Sequence, residues 1–458
     1  PAHYKGREAL VLGLARSGRA AARLLHKHGI QVTINDRKTR EECPEADELE
    51  QEGMRVICGG HPDFLIHPNL AFIVKNPGIP YHIPPLRKAS ELGIEVITEV
   101  EIACHLTEAP IIGITGSNGK TTTTTWVGQM LAEAGFKAVT AGNIGLPLCE
   151  AVAEHAEAEW FVCELSSFQL KGIQTFRPHI ACFLNISETH LDYHGTMEDY
   201  IASKKNLVRQ QTVHDTVVYN WDDPACRMMA EASAAKKVPY SMKEKLVHGM
   251  YCDEGMIVYR APEGVPEPIL QTDKLGIPGK HNIENALAAA AIAKSAGAPL
   301  PAIAQALERF SGVEHRLERV RQWRGISFYN NSKATNIAST LTAVASFDAP
   351  IVLIAGGLDR GSEFSELFSQ VNDQVKAVIC LGETADKINK AAQASGVTAV
   401  TTIRDKDPQK AIDAAVQAAA KFAEPGDIVL LSPSCASWDM FRNFEERGNM
   451  FKQAVHKL

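Results

Sequence analysis

The run Gly113-Ile114-Thr115-Gly116-Ser117-Asn118-Gly119-Lys120-Thr121-Thr122 carries the clearest chemistry in this chain. It follows an apolar stretch at 111 to 115 and precedes a helical pattern. Glycines there let backbone N–H groups turn inward around phosphate oxygens, and the N-terminus of the following helix adds its dipole. Lys120 supplies a mobile cation and a hydroxyl can reach Mg²⁺, so the segment reads as a phosphate loop. The strict loop spacing wants glycine at 114, where isoleucine stands; strand, loop, Gly-Lys-Thr and helix are nonetheless in order. A second glycine turn, Gly13-Leu14-Ala15-Arg16-Ser17-Gly18, lies between an apolar run and a helical run, with Asp36 ending the next apolar run. It matches a dinucleotide fingerprint loosely, because Ala15 replaces the middle glycine, and a pyrophosphate could rest on the helix N-terminus.

Both loops need strands behind them. Residues 9 to 14 read as a buried strand, followed by the turn Ala15-Arg16-Ser17-Gly18, a helix to His28 and a second strand ending at Asp36. Apolar runs at 71 to 74 and 94 to 97 follow, with turns such as Asn76-Pro77-Gly78 between them, and Glu108-Ala109-Pro110 punctuates the chain before the next strand. A second unit starts with the strand 111 to 115 and ends after the alanine-rich helix at 285 to 298. A third begins near Gly312 and has strand-like runs at 351 to 355, 377 to 381 and 428 to 431. The expected domains are therefore 1–105, 106–311 and 312–458. Strands alternating with helices predict parallel sheets covered on both faces, α/β architecture in all three.

Composition narrows the function. With 45% hydrophobic and 22% charged residues, a chain of 458 can build real cores. A net charge of -7 gives no cationic field for a nucleic-acid backbone, so no nucleic acid is expected as partner. The ten cysteines never form a CxxC pair, which argues against zinc and a disulfide framework and fits a reduced, cytoplasmic setting. No charged and apolar leader and no apolar stretch of about 18 residues is present, so no membrane insertion is expected.

The segment TGSNGKTT resembles the ATP loop of the Mur ligase family and its folylpolyglutamate synthase relatives, and the resemblance extends over nearly the whole chain. It implies a Rossmann-like N-terminal domain, a P-loop central ATPase domain and a Rossmann-like C-terminal domain, with ATP and Mg²⁺ as cofactors. The ATP site would comprise Gly116, Ser117, Asn118, Gly119, Lys120, Thr121 and Thr122, with Asn282, Asn285, Arg316 and Asn331. Glu164-Leu165-Ser166-Ser167-Phe168-Gln169 resembles the acidic segment and His190-Leu191-Asp192 the histidine segment, which makes Glu164 and His190 metal ligands beside Thr121. Lys204 matches the lysine carbamylated in most members, whereas the Lys204-Lys205 pair without the family reads as a solvated helix face. Lys120, Glu164, His190 and Lys204 would form the catalytic group. The N-terminal domain is assigned to a UDP-linked substrate, with Arg16, Ser17, Asp36, Arg37, Gly78 and Asn143 near it, joined by Ser166 and Gln169 of the central domain.

In the last domain, Asn330-Asn331-Ser332-Lys333-Ala334-Thr335-Asn336 and Ser432-Pro433-Ser434-Cys435-Ala436-Ser437-Trp438 resemble the D-glutamate-adding branch of the family. The resemblance implies Lys333, Thr335, Arg360, Ser437, Trp438 and Phe444 as the D-glutamate site, although asparagine stands at 331 where aspartate is often found. The implied substrates are UDP-N-acetylmuramoyl-L-alanine and D-glutamate, joined through an acyl phosphate by a monomeric enzyme. Three alternatives stay open at this point: a sibling ligase using another amino acid, an oxidoreductase binding NAD at Gly13 to Gly18, and a non-catalytic nucleotide-binding regulator.

Overall fold

Ala9, Leu10, Val11 and Leu12 are all buried in strand β1 (Glu8–Leu12), an uninterrupted apolar run of the kind that suits a strand covered on both faces. The computed structural model describes residues 6–143, 145–371 and 373–458. With β2 (Gln31–Asp36), β3 (Arg55–Cys58), β4 (Leu70–Lys75) and β5 (Val96–Ile97), β1 forms a parallel sheet in the order β3-β2-β1-β4-β5. The helix after β1, Arg16–Lys27, starts one residue past Ala15. In place of the turn expected at 15–18, Ala15 is the extended N-cap and Arg16, Ser17 and Gly18 already belong to the helix. Gly18 permits this packing, since a Cβ at that position would lie 2.0 Å from the Gly13 carbonyl oxygen.

The second sheet has nine strands: β6 (Ile111–Thr115), β7 (Ala138–Gly142), β8 (Trp160–Glu164), β9 (Ile180–Phe183), β10 (Thr216–Asn220), β11 (Lys236–Ser241), β12 (Gly249–Asp253), β13 (Met256–Arg260) and β14 (Pro266–Gln271). Their order is β14-β13-β12-β11-β10-β9-β6-β8-β7. β6 is central, between β8 and β9, so the phosphate loop leaves a strand held on both sides. Buried Ile97, Val100, Ile102 and Ala103 belong to one continuous apolar cluster with Leu148, Cys149, Leu170 and Phe176, which joins the first two domains into one compact unit. That unit runs to Thr272 and includes Glu284–Leu307.

A second unit, Asp273–Ile283 with Glu308–Leu458, holds the third sheet. It comprises β15 (Glu318–Trp323), β16 (Ile326–Asn330), β17 (Ile351–Ala355), β18 (Val375–Cys380), β19 (Ala399–Thr402) and β20 (Ile428–Leu431), in the order β15-β16-β20-β17-β18-β19.

The expectation of purely parallel sheets needs correction. β12, β13 and β14 pair antiparallel at one edge of the second sheet, and β15 pairs antiparallel with β16 at the edge of the third. For β12–β13 and β15–β16 the reason lies in two tight turns, whereas the loop 261–265 returns β14 onto β13. Glu254-Gly255 and Arg324-Gly325 both take positive φ at each residue, 46° and 79° in the first and 49° and 79° in the second. Paired positive φ matches the twist of a two-residue hairpin, so the chain doubles back without a crossover helix.

Candidate active site

β6 ends at Thr115 and the helix Lys120–Glu133 begins five residues later, so the intervening loop must reverse within four residues. Gly119 makes this possible at φ 83°. The loop is braced from the β9 side: Asn185 accepts from Asn118 N through Oδ1 at 2.8 Å and donates back to the Asn118 carbonyl at 3.0 Å. Ser117 N donates to the Asn185 carbonyl at 2.9 Å, and the Ser117 hydroxyl lies 2.9 Å from the Tyr200 hydroxyl. Lys120 folds over the loop, its Nζ donating to the carbonyls of Gly116 at 2.9 Å and Ser117 at 3.2 Å. Thr121 and Thr122 occupy the first turn of the helix, and Thr122 is buried. Asn285 packs against Gly119 and accepts from Thr123 Oγ1 at 3.4 Å.

Lys204 corrects the residue-only reading. It is 1% exposed, while Lys205 beside it faces solvent. Its Nζ donates to Thr115 Oγ1 at 3.0 Å and to the Gly116 carbonyl at 3.1 Å, directly beneath the phosphate loop. Burial, and then the nearby Lys120 cation, hold this amine well below its ordinary value, with Glu164 pulling the other way. Glu164 ends β8 and is 3% exposed. His190 sits in a left-handed conformation, φ 57°, at the start of the short helix Leu191–His194. Its imidazole is lowered by burial and then by Lys120 and Lys204, which favours the neutral, metal-ligating form. The ring of Phe168 meets His190 edge-on at 5.0 Å. Lys120, Glu164, His190 and Lys204 thus act on one another at one end of the central sheet.

This donor set suits a divalent cation beside phosphates. A carboxylate, a neutral imidazole and the Thr121 hydroxyl are hard or borderline ligands, and a cation of the Mg²⁺ type takes few of them because phosphate oxygens and water complete its shell. No cluster of three or more His, Cys, Asp or Glu side chains arranged for a metal occurs among the described residues.

A cleft of ≈ 960 Å³ opens in the first domain, lined by Gly13, Asp36, Arg37, His61, Asn76 and Gly78 among others. Asp36 accepts from Leu14 N at 2.8 Å and thereby closes the glycine turn. Arg37 and Gly78 line the cleft. Arg16 points elsewhere, forming an ion pair with Glu150 at 2.8 Å and donating to the Gly145 carbonyl. Ser17 lies in the first helical turn, and Asn143 is exposed with its backbone N on the Glu164 carbonyl. Ser166 and Gln169 bond each other as a capping box for the helix Ser167–Lys171, so their side chains serve that helix first.

The last domain brings several of its predicted residues together. The Lys333 ammonium lies 5.8 Å from the Phe444 ring centroid, and the exposed Arg360 guanidinium 4.9 Å from that of Trp438, itself 64% exposed. Ser437 is buried and Thr335 exposed. Asn331 is committed internally: it accepts from Leu317 N at 3.2 Å and donates to Ser432 Oγ at 3.1 Å. An aspartate could also accept from Leu317 N, but the second bond would then need the Ser432 hydroxyl as its donor. Arg316 begins this domain beside His315, and Asn282 donates to the Pro278 carbonyl in the same unit.

Two buried cations were missed. Arg447, 0% exposed, donates to Ser332 Oγ and to the carbonyls of Ser332 and Cys435, tying two loops of the candidate amino-acid site together. Burial pushes it down to about 10. Lys75 is equally buried at the end of β4. Neither stands in a recognisable motif; an ionisable residue inside an apolar run, as in Phe72-Ile73-Val74-Lys75, was the available signal.

With the geometry in hand, the comparisons assign the class. Family models for the Mur ligase MurD-like N-terminal domain, the Mur ligase middle domain and the Mur ligase glutamate ligase domain match residues 7–98, 114–293 and 315–435, and the chain belongs to the Mur ligase family. Within it, the chain is 50% identical to UDP-N-acetylmuramoylalanine--D-glutamate ligase of Geobacillus kaustophilus (strain HTA426), covering 99% of this chain and 98% of that one. The corresponding protein of Listeria monocytogenes serotype 4b is 46% identical, over 99% and 97%. Among solved structures, MurF from Acinetobacter baumannii shares the fold at a TM-score of 0.59 with 16% identity, covering 97% and 93% of the two chains. UDP-N-acetylmuramate-alanine ligase MurC from Thermotoga maritima does so at 0.56, with 16% identity over 98% and 99%.

Proposed function

We propose that this chain joins D-glutamate to UDP-N-acetylmuramoyl-L-alanine with hydrolysis of ATP, in peptidoglycan precursor synthesis. The observation that supports the ligase reading is that Lys120 and Lys204 both donate to the glycine loop's carbonyls, with His190 and Glu164 within electrostatic reach of them. The amino acid rests on half-identity to D-glutamate ligases over the full chain, supported by Arg360 and Lys333 as cations for two carboxylates.

The phosphate loop holds ATP through its backbone N–H groups and Lys120, and the carboxylate of the UDP substrate attacks the terminal phosphorus in line, forming the acyl phosphate as the bond to the β-phosphate oxygen breaks and ADP leaves. Lys120 neutralises charge on the transferred group. The acyl phosphate then loses phosphate to attack by the D-glutamate amine. Thr121, Glu164, His190 and a carbamylated Lys204 would hold Mg²⁺, which supplies charge neutralisation at the phosphates. For carbamylation, the neutral Lys204 amine forms an N–C bond to CO₂ and releases one proton. The cleft with Asp36, Arg37 and Gly78 takes the uridine diphosphate, and Arg316, Asn282, Asn285 and Asn331 the rest of ATP. No helix among the described residues is long and apolar enough to cross a membrane, and on this reading the enzyme works in the cytoplasm as a monomer on small substrates. Coupled phosphate release with ATP, Mg²⁺ and UDP-N-acetylmuramoyl-L-alanine tests the reading. Release is expected with D-glutamate and absent with L-lysine or D-alanyl-D-alanine; the reverse preference would assign a sibling ligase.

A further inference from the structure

The cleft in the first domain and the His190 helix of the second are joined through one buried amine. Lys75 is 1% exposed, and its Nζ donates to the carbonyls of Pro77 at 2.8 Å and Asn76 at 3.2 Å and lies 3.3 Å from the Tyr193 hydroxyl. Tyr193 Oη itself donates to the Pro77 carbonyl at 3.2 Å, closing a ring of bonds across the two domains. The ammonium also stands 4.6 Å over the Tyr81 ring. Its polar partners are thus two carbonyls and a phenol, while the nearby Lys171 is paired to Asp199 at 2.8 Å. Burial, and then the Lys171 cation, push this amine down to about 7, so keeping it charged among neutral oxygens is expensive and a role is expected of it.

Both ends of this link reach functional ground. On one side, Asn76 and Gly78 line the nucleotide cleft, and Gly78 N is fixed by Asn76 Oδ1 at 3.2 Å. On the other, Tyr193 lies three residues after His190, and the Phe168 ring packs edge-on against both, 4.4 Å from Tyr193 and 5.0 Å from His190. We propose that Lys75 is a positioning residue that couples the uridine cleft to the phosphate-transfer centre, through the chain Asn76-Pro77 carbonyls, Lys75, Tyr193, Phe168 and His190. It touches no reacting atom. Holding the loop 76–78 shapes the nucleotide site, and holding Tyr193 fixes the helix that presents His190. The proposal rests on the ligase reading at both ends, for uridine diphosphate in the cleft and for phosphate transfer beside His190.

Two variants separate the two ends. Lys75→Met keeps the aliphatic length and removes the ammonium; Tyr193→Phe removes one hydroxyl from a half-buried ring and leaves the Lys75 bonds to the loop. Calorimetry with UDP on the full chain should give a Kd at least fivefold weaker for Lys75→Met and within twofold of wild type for Tyr193→Phe. Steady-state assays should show kcat at least fivefold lower in both, with the KM for the UDP substrate raised only in Lys75→Met. The double variant should be no slower in kcat than Lys75→Met alone. Unchanged UDP affinity in Lys75→Met, unchanged kcat in Tyr193→Phe or fully additive losses would overturn the coupling. If wild-type protein forms no product, the ligase reading fails, and the UDP affinities still decide whether Lys75 shapes the cleft.

Discussion

Gly119→Ala is the perturbation whose effect can be worked most fully from the geometry. Position 119 sits at φ 83°, where an L side chain is strained by about 1–2 kcal/mol. The new methyl would also lie 2.3 Å from Asn285 Oδ1 and 3.1 Å from its Cγ. Asn285 is 6% exposed and accepts from Thr123 Oγ1, so turning it away forfeits a hydrogen bond worth about 1 kcal/mol. The empty loop can relax to escape both penalties, and ATP must then restore the cradle when it binds. A total of about 2–3 kcal/mol corresponds to a Kd for ATP weakened roughly 30- to 150-fold. Calorimetry with a non-hydrolysable ATP analogue and Mg²⁺ measures this. In an Asn285→Ala background the same substitution should retain only its backbone strain, a factor of about ten. A Kd within threefold of wild type, or a penalty indifferent to Asn285, would refute the reasoning.

Lys120→Ala should reduce phosphate release below a tenth of wild type with circular dichroism unchanged, since a charge contact of the transferred group is worth a few kcal/mol. Arg360→Ala should raise the KM for D-glutamate roughly tenfold or more, about 1.4 kcal/mol, and leave the KM for ATP unchanged, because an arginine fork can hold one carboxylate bidentately. Glu101→Gln should lower stability to urea at neutral pH by about 2 kcal/mol or more. Burial raises the Glu101 carboxyl, but bonds from His105, Thr175 and the backbone N–H groups of Gln174 and Thr175 outweigh it and hold it at about 2. Its contribution is therefore present above the ordinary carboxylate value and is lost as pH falls towards 2, so the gap between variant and wild type should close on acidification.

The elements nearest the chemistry were the most legible. β6, the phosphate loop and its helix follow from apolar residues, glycines and Gly-Lys-Thr in direct succession, because local backbone demands alone determine them. Lys204 was legible only by family resemblance: a lysine pair on a helix says nothing of burial, which comes from β6 and Tyr200 packing over it. Ser166 and Gln169 show the opposite case, where residues three apart satisfy a capping box within their own helix. The antiparallel edges were written in Glu254-Gly255 and Arg324-Gly325, but alternation with helices dominated the reading. Lys75 and Arg447 were hard to read because each has one partner far along the chain, Tyr193 for Lys75 and Ser332 for Arg447, that no local pattern announces.

The central claim is that this chain adds one D-glutamate to UDP-N-acetylmuramoyl-L-alanine. Mass spectrometry of the nucleotide product tests it directly, in reactions containing ATP, Mg²⁺ and an equimolar mixture of D-glutamate, L-glutamate, L-lysine and D-alanyl-D-alanine with one component isotopically labelled in each. The account predicts a single product carrying the label only when D-glutamate bears it. A product labelled from L-lysine or D-alanyl-D-alanine, or the unextended nucleotide alone, would contradict it.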